Sequence, residues 1–181
     1  QLTAAQHEAV RSITGSLGQF SPHLLFGVTG SGKTEVYLEA ARAAAARGGQ
    51  TLVLVPEIGL TPQLVDRFRQ RLGLPMALLH SGLPDSQRLA AWRDTRSGAA
   101  AVILGTRSAI FAPLSNLALI VVDEEHDASF KQQDGFRYSA RDLAVLRGRR
   151  SNAPVVLGSA TPSLESIYNV REGRYTQLGG K

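Results

Sequence analysis

Residues 27–34 have the spacing of a phosphate-binding loop. They form the segment Gly-Val-Thr-Gly-Ser-Gly-Lys-Thr, which fits G-x-x-x-x-G-K-[S/T]. The apolar residues 24–26 precede it as a strand would, and residues 35–46 follow as a strong helix former. Glycines let a backbone approach phosphates closely, and a helix N-terminus aims N–H donors at them. An ordinary glycine turn does not require a lysine and a threonine here, so the segment predicts a site for a nucleoside triphosphate.

The residues of this loop have separate predicted tasks. Lys33 would reach the β- and γ-phosphates, and the Thr34 hydroxyl would bind Mg²⁺. ATP and Mg²⁺ are therefore the expected cofactors, and a chain with no cysteine excludes a cysteine-ligated zinc. The other predicted nucleotide contacts of the loop are Gly27, Thr29, Gly30, Ser31 and Gly32.

Gln6 lies upstream of the loop and has two open interpretations. Thr3 and Gln6 have the spacing of a capping box, in which the glutamine side chain serves a helix N-terminus. The same amide could pair with the adenine edge of a nucleotide, because it offers both a donor and an acceptor. The two roles are compatible in turn, and Gln6 is kept as a candidate nucleotide contact.

An acidic run follows the apolar residues 117–122 and indicates the catalytic groups. Four polar residues at the end of an apolar strand, Asp123, Glu124, Glu125 and His126, have no packing role. Beside a phosphate loop, Asp123 is expected to hold the nucleotide's Mg²⁺, and Glu124 to orient and deprotonate the attacking water. Whether Glu124 or Glu125 is the base stays open. His126 could hydrogen-bond elements that sense the nucleotide.

Several polar segments are candidates for contact with nucleic acid. Hydroxyls, backbone N–H groups and one arginine follow the strand at residues 101–104 and suit a backbone phosphate, although an ordinary turn is the alternative. Residues 128–138 interleave three aromatic rings with cations, which suits base stacking; we expect at least one ring to pack in the core instead. The candidates are Thr106, Arg107, Ser108, Phe130, Lys131, Phe136, Arg137, Tyr138, Ser159 and Thr161.

The elements that must position these residues alternate along the chain. Strands near residues 24, 52, 77, 102, 119 and 155 are separated by predicted helices, which indicates an α/β fold with one parallel sheet covered on both faces. Every polar segment follows a strand, at the edge where such sheets bind ligands. A helix is expected from Thr61 to Leu72, with its arginines mostly solvated, and another over residues 84–96, with Leu89 and Trp92 inward.

Composition sets the broad class of the protein. The 181 residues suit one domain, and the net charge of +5 favours a polyanionic partner. The sequence has neither an apolar run of membrane-spanning length nor the pattern of a signal peptide. We therefore expect a protein of the cytoplasm that has no membrane partner.

Three of these segments resemble known helicase motifs. Residues 27–34, 123–126 and 159–161 resemble motifs I, II and III of superfamily 2 helicases, and the second has a DEAH-like form, Asp-Glu-Glu-His. Residues 55–63 and 130–142 are more specifically similar to replication-restart primosomal helicases, as are the short segments at 79–82 and 105–109. The resemblance extends over essentially the whole chain.

The resemblance implies a three-layer α/β/α RecA-like lobe of a P-loop NTPase. It implies an ATP-dependent 3′-to-5′ DNA helicase that acts at stalled replication forks in bacteria, associated with the nucleoid, during primosome assembly. Gln6 would contact adenine, and the aromatic loop would couple DNA binding to hydrolysis. Implied partners are single-stranded and forked DNA, other domains of the same helicase, single-stranded-DNA-binding protein and primosome proteins.

We interpret residues 1–181 as the first helicase lobe. Within these residues we find no counterpart of three parts that the family implies: the N-terminal DNA-binding region, the cysteine-rich zinc segment and the second lobe. An arginine finger of the second lobe contributes about 10³–10⁵ in rate, so the chain alone should bind ATP but hydrolyse it very slowly. The alternatives are a translocase lobe that does not separate strands, a nucleotide-gated docking module without catalysis, and a small-molecule P-loop kinase.

Overall fold

In the part of the chain that the structure describes, seven strands form one sheet in which every neighbouring pair is parallel. The computed structural model describes residues 2–26, 31–124, 139–160, 162 and 164–179. The strands are β1 (Ser21–Phe26), β2 (Gln50–Leu54), β3 (Met76–Leu79), β4 (Val102–Gly105), β5 (Leu117–Asp123), β6 (Pro154–Ser159) and β7 (Thr176–Gly179). Their order is β3-β4-β2-β5-β6-β1-β7, which confirms the predicted parallel sheet.

Helices cover both faces of the sheet. They are α1 (Ala4–Gly15), α2 (Ser31–Ala46), α3 (Pro62–Leu72), α4 (Asp85–Ser97), α5 (Ala140–Ser151) and α6 (Leu164–Arg171), with short 3-10 helices at Glu57–Gly59 and Arg107–Phe111. Strands β2, β4 and β6 are buried at every position, as expected for parallel strands between two helical layers. Val53 packs in the cluster that contains Ala44 of α2, whereas Leu54 packs in the opposite cluster with Ala144 of α5.

Local sequence signals account for the limits of α3. The Thr61 side chain accepts a hydrogen bond from the Leu64 backbone N–H, and Pro62 occupies the first turn. Gly73 follows the helix with φ 67°, in the left-handed region that glycine adopts most readily. The predicted helix from Thr61 to Leu72 is therefore confirmed.

As predicted, most of the α3 arginines are solvated, because Arg69 and Arg71 are exposed and only Arg67 is half-buried. Arg67 and Arg71, one turn apart, both bind the Glu35 carboxylate of α2, at 3.0 and 2.9 Å. Burial on its own would raise the pKa of Glu35, but the hydrogen bonds and positive charges of the two arginines lower it. This shared carboxylate holds α3 against α2.

The predicted inward face of α4 was wrong. Leu89 is 55% exposed and Trp92 is 41% exposed, whereas Ala91 and Thr95 are buried. The helix packs on β3, an edge strand, where the small Ala91 allows close approach and the Thr95 hydroxyl donates to the Ala91 carbonyl at 2.7 Å. None of the described helices combines the length and apolarity needed to span a membrane.

His23 in β1 should make stability depend on pH. The Ser16 hydroxyl donates to the Ile13 carbonyl, so the His23 Nε2–H, 3.1 Å away, must donate to Ser16. The other ring nitrogen, Nδ1, is buried without a partner among the described residues, and burial lowers the pKa of His23 from 6.5 to about 4. The unfolded chain therefore binds more protons between these pH values, so stability falls as the pH falls through this range.

We predict that the free energy of unfolding falls by about 3 kcal/mol between neutral pH and a pH below the pKa values of His23 in both the unfolded and the folded chain. Urea unfolding at a series of pH values from 7 to 3 measures it. His23→Gln should flatten this part of the pH profile, whereas replacing the exposed His7 with glutamine should not. An unchanged slope in His23→Gln would contradict the assignment.

Candidate active site

The predicted catalytic segments meet at the carboxyl edge of the sheet. Strand β6 lies between β1, which leads towards α2, and β5, which ends in Asp123. In the register of these strands, Gly158 of β6 pairs with Asp123 on one side and with Leu25 on the other. The start of α2 and the acidic end of β5 are thereby brought together from distant parts of the chain.

Lys33 and the two acidic residues form the centre of the site. Lys33 is 2% exposed, its Nζ lies 3.3 Å from Asp123 Oδ1, and it also donates to Glu124 Oε1. A buried ammonium without a partner is strongly destabilising, so these carboxylates compensate its charge. The structure thus brings together all three residues that the sequence predicted to be catalytic.

Asp123 has a second buried partner that sequence reasoning missed. The Tyr37 hydroxyl donates to Asp123 Oδ1 at 2.7 Å, and Tyr37 is 2% exposed. Burial raises the pKa of Tyr37 well above its ordinary value, and the neighbouring carboxylates of Asp123 and Glu124 raise it further. The tyrosine is therefore a neutral donor at physiological pH. In the sequence, Tyr37 resembles any apolar position of a helix.

Two backbone features accompany this group. Glu124 has φ 49°, a left-handed conformation that is uncommon for a residue with a side chain, directly after β5 ends. A Cβ atom at Gly158 would overlap the Tyr37 hydroxyl oxygen and lie 3.2 Å from Asp123 Oδ1. A glycine within an otherwise apolar strand marks a close approach, and this was the available sequence signal for the contact.

Gln6 makes the capping contacts and also contacts the start of α2. The Thr3 N–H donates to Gln6 Oε1 at 2.7 Å, and the Gln6 N–H donates to the Thr3 hydroxyl, which confirms the capping box. Gln6 Nε2 also donates to the Gly32 carbonyl at 3.1 Å. The N-terminus of α1 is therefore tied to the phosphate-loop end of α2. The adenine contact of Gln6 stays a prediction.

The segment after β4 begins a 3-10 helix. Thr106 is buried directly before it, Arg107 is half-buried in it and Ser108 is exposed. From α5, Arg147 donates to the carbonyls of Ile110 and Ala112, both at 2.6 Å, and partial burial lowers the pKa of Arg147. The segment lies at the same carboxyl edge as Asp123, but β2 separates β4 from β5.

The other predicted site residues divide into two groups. Thr34 is buried in the first turn of α2, and Ser159 is fully buried at the end of β6, which suits coupling within the protein better than direct contact with DNA. The remaining predicted residues lie outside the described part of the chain, and the side chain of Ser31 is not described either. Those outside are Gly27, Thr29, Gly30, Glu125, His126, Phe130, Lys131, Phe136, Arg137, Tyr138 and Thr161.

A family model described as DEAD/DEAH box helicase matches residues 3–170. The chain is 56% identical to replication restart protein PriA of Haemophilus influenzae, over 88% of this chain and 22% of that protein. It is 45% identical to replication restart protein PriA of Bacillus subtilis, over 99% of this chain and 23% of that protein. The chain thus spans about a quarter of the length of these relatives, and the predicted resemblance is confirmed.

Solved helicase structures share the fold. RecG bound to a three-way DNA junction superposes with a TM-score of 0.68 at 25% identity, covering 100% of this chain and 24% of that one. The Hef helicase domain of Pyrococcus furiosus gives a TM-score of 0.63 at 23% identity, covering 97% of this chain and 37% of that one. These likenesses confirm the predicted α/β architecture.

Arg147 should be a specific support of the 3-10 helix. We predict that Arg147→Gln lowers the unfolding free energy by about 1–3 kcal/mol, because two partly buried carbonyls lose a charged donor. Arg150→Gln, at an exposed position of the same helix, should change it by less than about 0.5 kcal/mol. Urea unfolding measures the change in both variants. Equal losses of unfolding free energy in Arg147→Gln and Arg150→Gln would contradict a specific role of Arg147 in supporting the 3-10 helix.

Proposed function

Because the chain belongs to the DEAD/DEAH box helicase family, we propose that it is the ATP-binding lobe of an ATP-dependent 3′-to-5′ DNA helicase that restarts stalled replication forks. The convergence of Lys33 with Asp123 and Glu124 carries the proposal. The relatives named replication restart protein support the restart role. In this role the lobe works on nucleoid DNA in the bacterial cytoplasm, with a second lobe and primosome proteins as partners.

ATP binding would begin with an exchange of partners at Lys33. The ammonium is held by two carboxylates, and a triphosphate on the loop would offer it stronger negative charge. Asp123 and Glu124 would then turn to the nucleotide, Asp123 towards its metal and Glu124 towards the attacking water. The alternative base, Glu125, lies outside the described residues.

The residues at the site fit Mg²⁺. This ion takes hard oxygen ligands and is usually held by one or two carboxylates together with substrate phosphates. The Thr34 hydroxyl, next to Lys33 in the sequence of α2, and the Asp123 carboxylate would supply such oxygens. Bound Mg²⁺ would neutralise charge on the β- and γ-phosphates.

The proposed DNA path crosses the same edge of the sheet. Thr106, Arg107 and Ser108 would contact the phosphates of a single strand, and residues 128–138, outside the described part, would stack its bases. The net charge of +5 supports an anionic partner. The Arg147 contacts support a fixed position for the first of these segments.

Nucleotide binding can be tested by ligand-induced stabilisation. With Mg·ADP at a hundred times its dissociation constant, we predict that the unfolding free energy rises by about 2.7 kcal/mol. Lys33→Ala should lose this increase, each protein being compared with itself in the absence of nucleotide, whereas Arg69→Ala at an exposed position of α3 should retain it. If Lys33→Ala is stabilised as much as the unmodified protein, the phosphate site is misassigned.

The DNA path can be tested through the salt dependence of binding. We predict that Arg107→Ala weakens binding of a fluorescent single-stranded oligonucleotide independently of its sequence. The plot of log affinity against log salt concentration should become less steep by about 0.7, the contribution of one phosphate contact. Fluorescence anisotropy at several salt concentrations measures both quantities. Arg93→Ala, an exposed arginine of α4, is the control. An unchanged slope in Arg107→Ala would remove this residue from the path.

A further inference from the structure

We propose that Tyr37 is a positioning residue that orients the Asp123 carboxylate for the Mg²⁺ ion of the bound nucleotide. The inference rests on the proposed function, because it assigns Asp123 to the metal. It concerns a residue that neither the phosphate-loop pattern nor the acidic motif contains. Three observations carry it: a buried hydrogen bond, the contact of Lys33 with the same carboxylate oxygen, and a glycine that leaves space for the tyrosine.

The hydrogen bond is built into the rigid part of the site. Tyr37 follows Lys33 by four residues, so both side chains lie on the same face of α2, one turn apart. The Tyr37 ring is almost fully buried, and its hydroxyl donates to Asp123 Oδ1 at 2.7 Å. A buried ring has few alternative rotamers, so the position of the hydroxyl is set by the packing of α2 on the sheet.

The tyrosine and the lysine contact the same carboxylate oxygen. Lys33 Nζ lies 3.3 Å from Asp123 Oδ1, the atom that accepts from Tyr37. If Lys33 moves to the nucleotide phosphates, the Tyr37 hydrogen bond persists, because a neutral hydroxyl has no comparable attraction to a phosphate. Tyr37 would then hold Oδ1 in place and keep the carboxylate in an orientation suited to a metal ligand. Orientation of a ligating carboxylate by an outer hydrogen bond is a general feature of metal sites.

Strand β6 is shaped around this contact. Gly158 is in register with Asp123, and a Cβ at this position would overlap the Tyr37 hydroxyl oxygen and lie 3.0 Å from Tyr37 Cζ. Even alanine would therefore force the tyrosine away from Asp123. The tyrosine of α2, the aspartate of β5 and the glycine of β6 are consequently constrained together.

The test is the metal dependence of nucleotide binding. A fluorescent non-hydrolysable ATP analogue is titrated onto the chain at a series of Mg²⁺ concentrations and in EDTA. Tyr37→Phe, which keeps the ring and removes the hydroxyl, should require about tenfold more Mg²⁺ for half of the metal effect, the lower end of what loss of an outer-shell partner costs. Its affinity for the analogue in EDTA should be unchanged. Tyr168→Phe, on the exposed side of α6, should behave as the unmodified protein does.

Gly158→Ala perturbs the same contact from the other side. In the unmodified background it should raise the Mg²⁺ requirement as Tyr37→Phe does, because it displaces the hydroxyl. In the Tyr37→Phe background its effect on the Mg²⁺ requirement should be smaller, because the overlapping oxygen is gone and the ring, with Cζ 3.0 Å from the new Cβ, need shift by only a few tenths of an ångström. This non-additivity distinguishes a role through Asp123 from general loss of packing, and additive effects would overturn the proposal.

The titration distinguishes failure of the proposed function from failure of the Tyr37 role alone. If the unmodified chain binds the analogue without any response to Mg²⁺, or does not bind it, the proposed function fails. If the unmodified chain responds to Mg²⁺ and Tyr37→Phe has the same midpoint, only the role of Tyr37 is overturned. The role of Tyr37 would also be overturned if Tyr37→Phe lost as much affinity for the analogue in EDTA as it loses in the presence of Mg²⁺. Equal losses would indicate damage to the phosphate loop.

Discussion

A buried lysine ammonium must have negative charge beside it, and this requirement determines much of the site. Lys33 is almost fully buried at the start of α2, so carboxylates or phosphates must surround its amino group. Asp123 and Glu124 meet this need from the end of β5, which requires β1, β6 and β5 to be neighbours with aligned carboxyl ends. The partnership also makes the site responsive, because an incoming triphosphate would compete with the carboxylates for the same cation.

Local signals made a large part of the fold predictable. A side-chain cap, an N-terminal proline and a left-handed glycine lie next to one another in sequence around α3, and the apolar runs of doubly covered strands are continuous. Long-range contacts were less accessible. The inward assignment of Leu89 and Trp92 failed because apolar character alone does not say which face of α4 meets an edge strand. Arg67 and Arg71 found their partner on another helix, 32 and 36 residues away from Glu35.

The candidate site shows the same division between motif and environment. Lys33, Asp123 and Glu124 could be identified because each follows a strand within a pattern that chemistry explains. Tyr37 could not, since its partner lies 86 residues away and the contact depends on strand register. The space that Gly158 leaves exists only once β6 lies between β1 and β5. The residues that carry the chemistry can therefore be predicted from sequence motifs, whereas a residue that orients them can be identified only from the tertiary structure.

The two halves of the carboxyl edge need a physical connection if nucleotide and DNA are to affect each other. Strand β2 separates β4, with its candidate DNA segment, from β5 and the nucleotide site. The chain itself connects them. In sequence, residues 125–138 join Glu124 to α5. Arg147 of α5 donates hydrogen bonds to the carbonyls of Ile110 and Ala112, which follow β4. Because α5 is a continuous helix, a shift at its N-terminus would be carried to the 3-10 helix by the charged hydrogen bonds of Arg147.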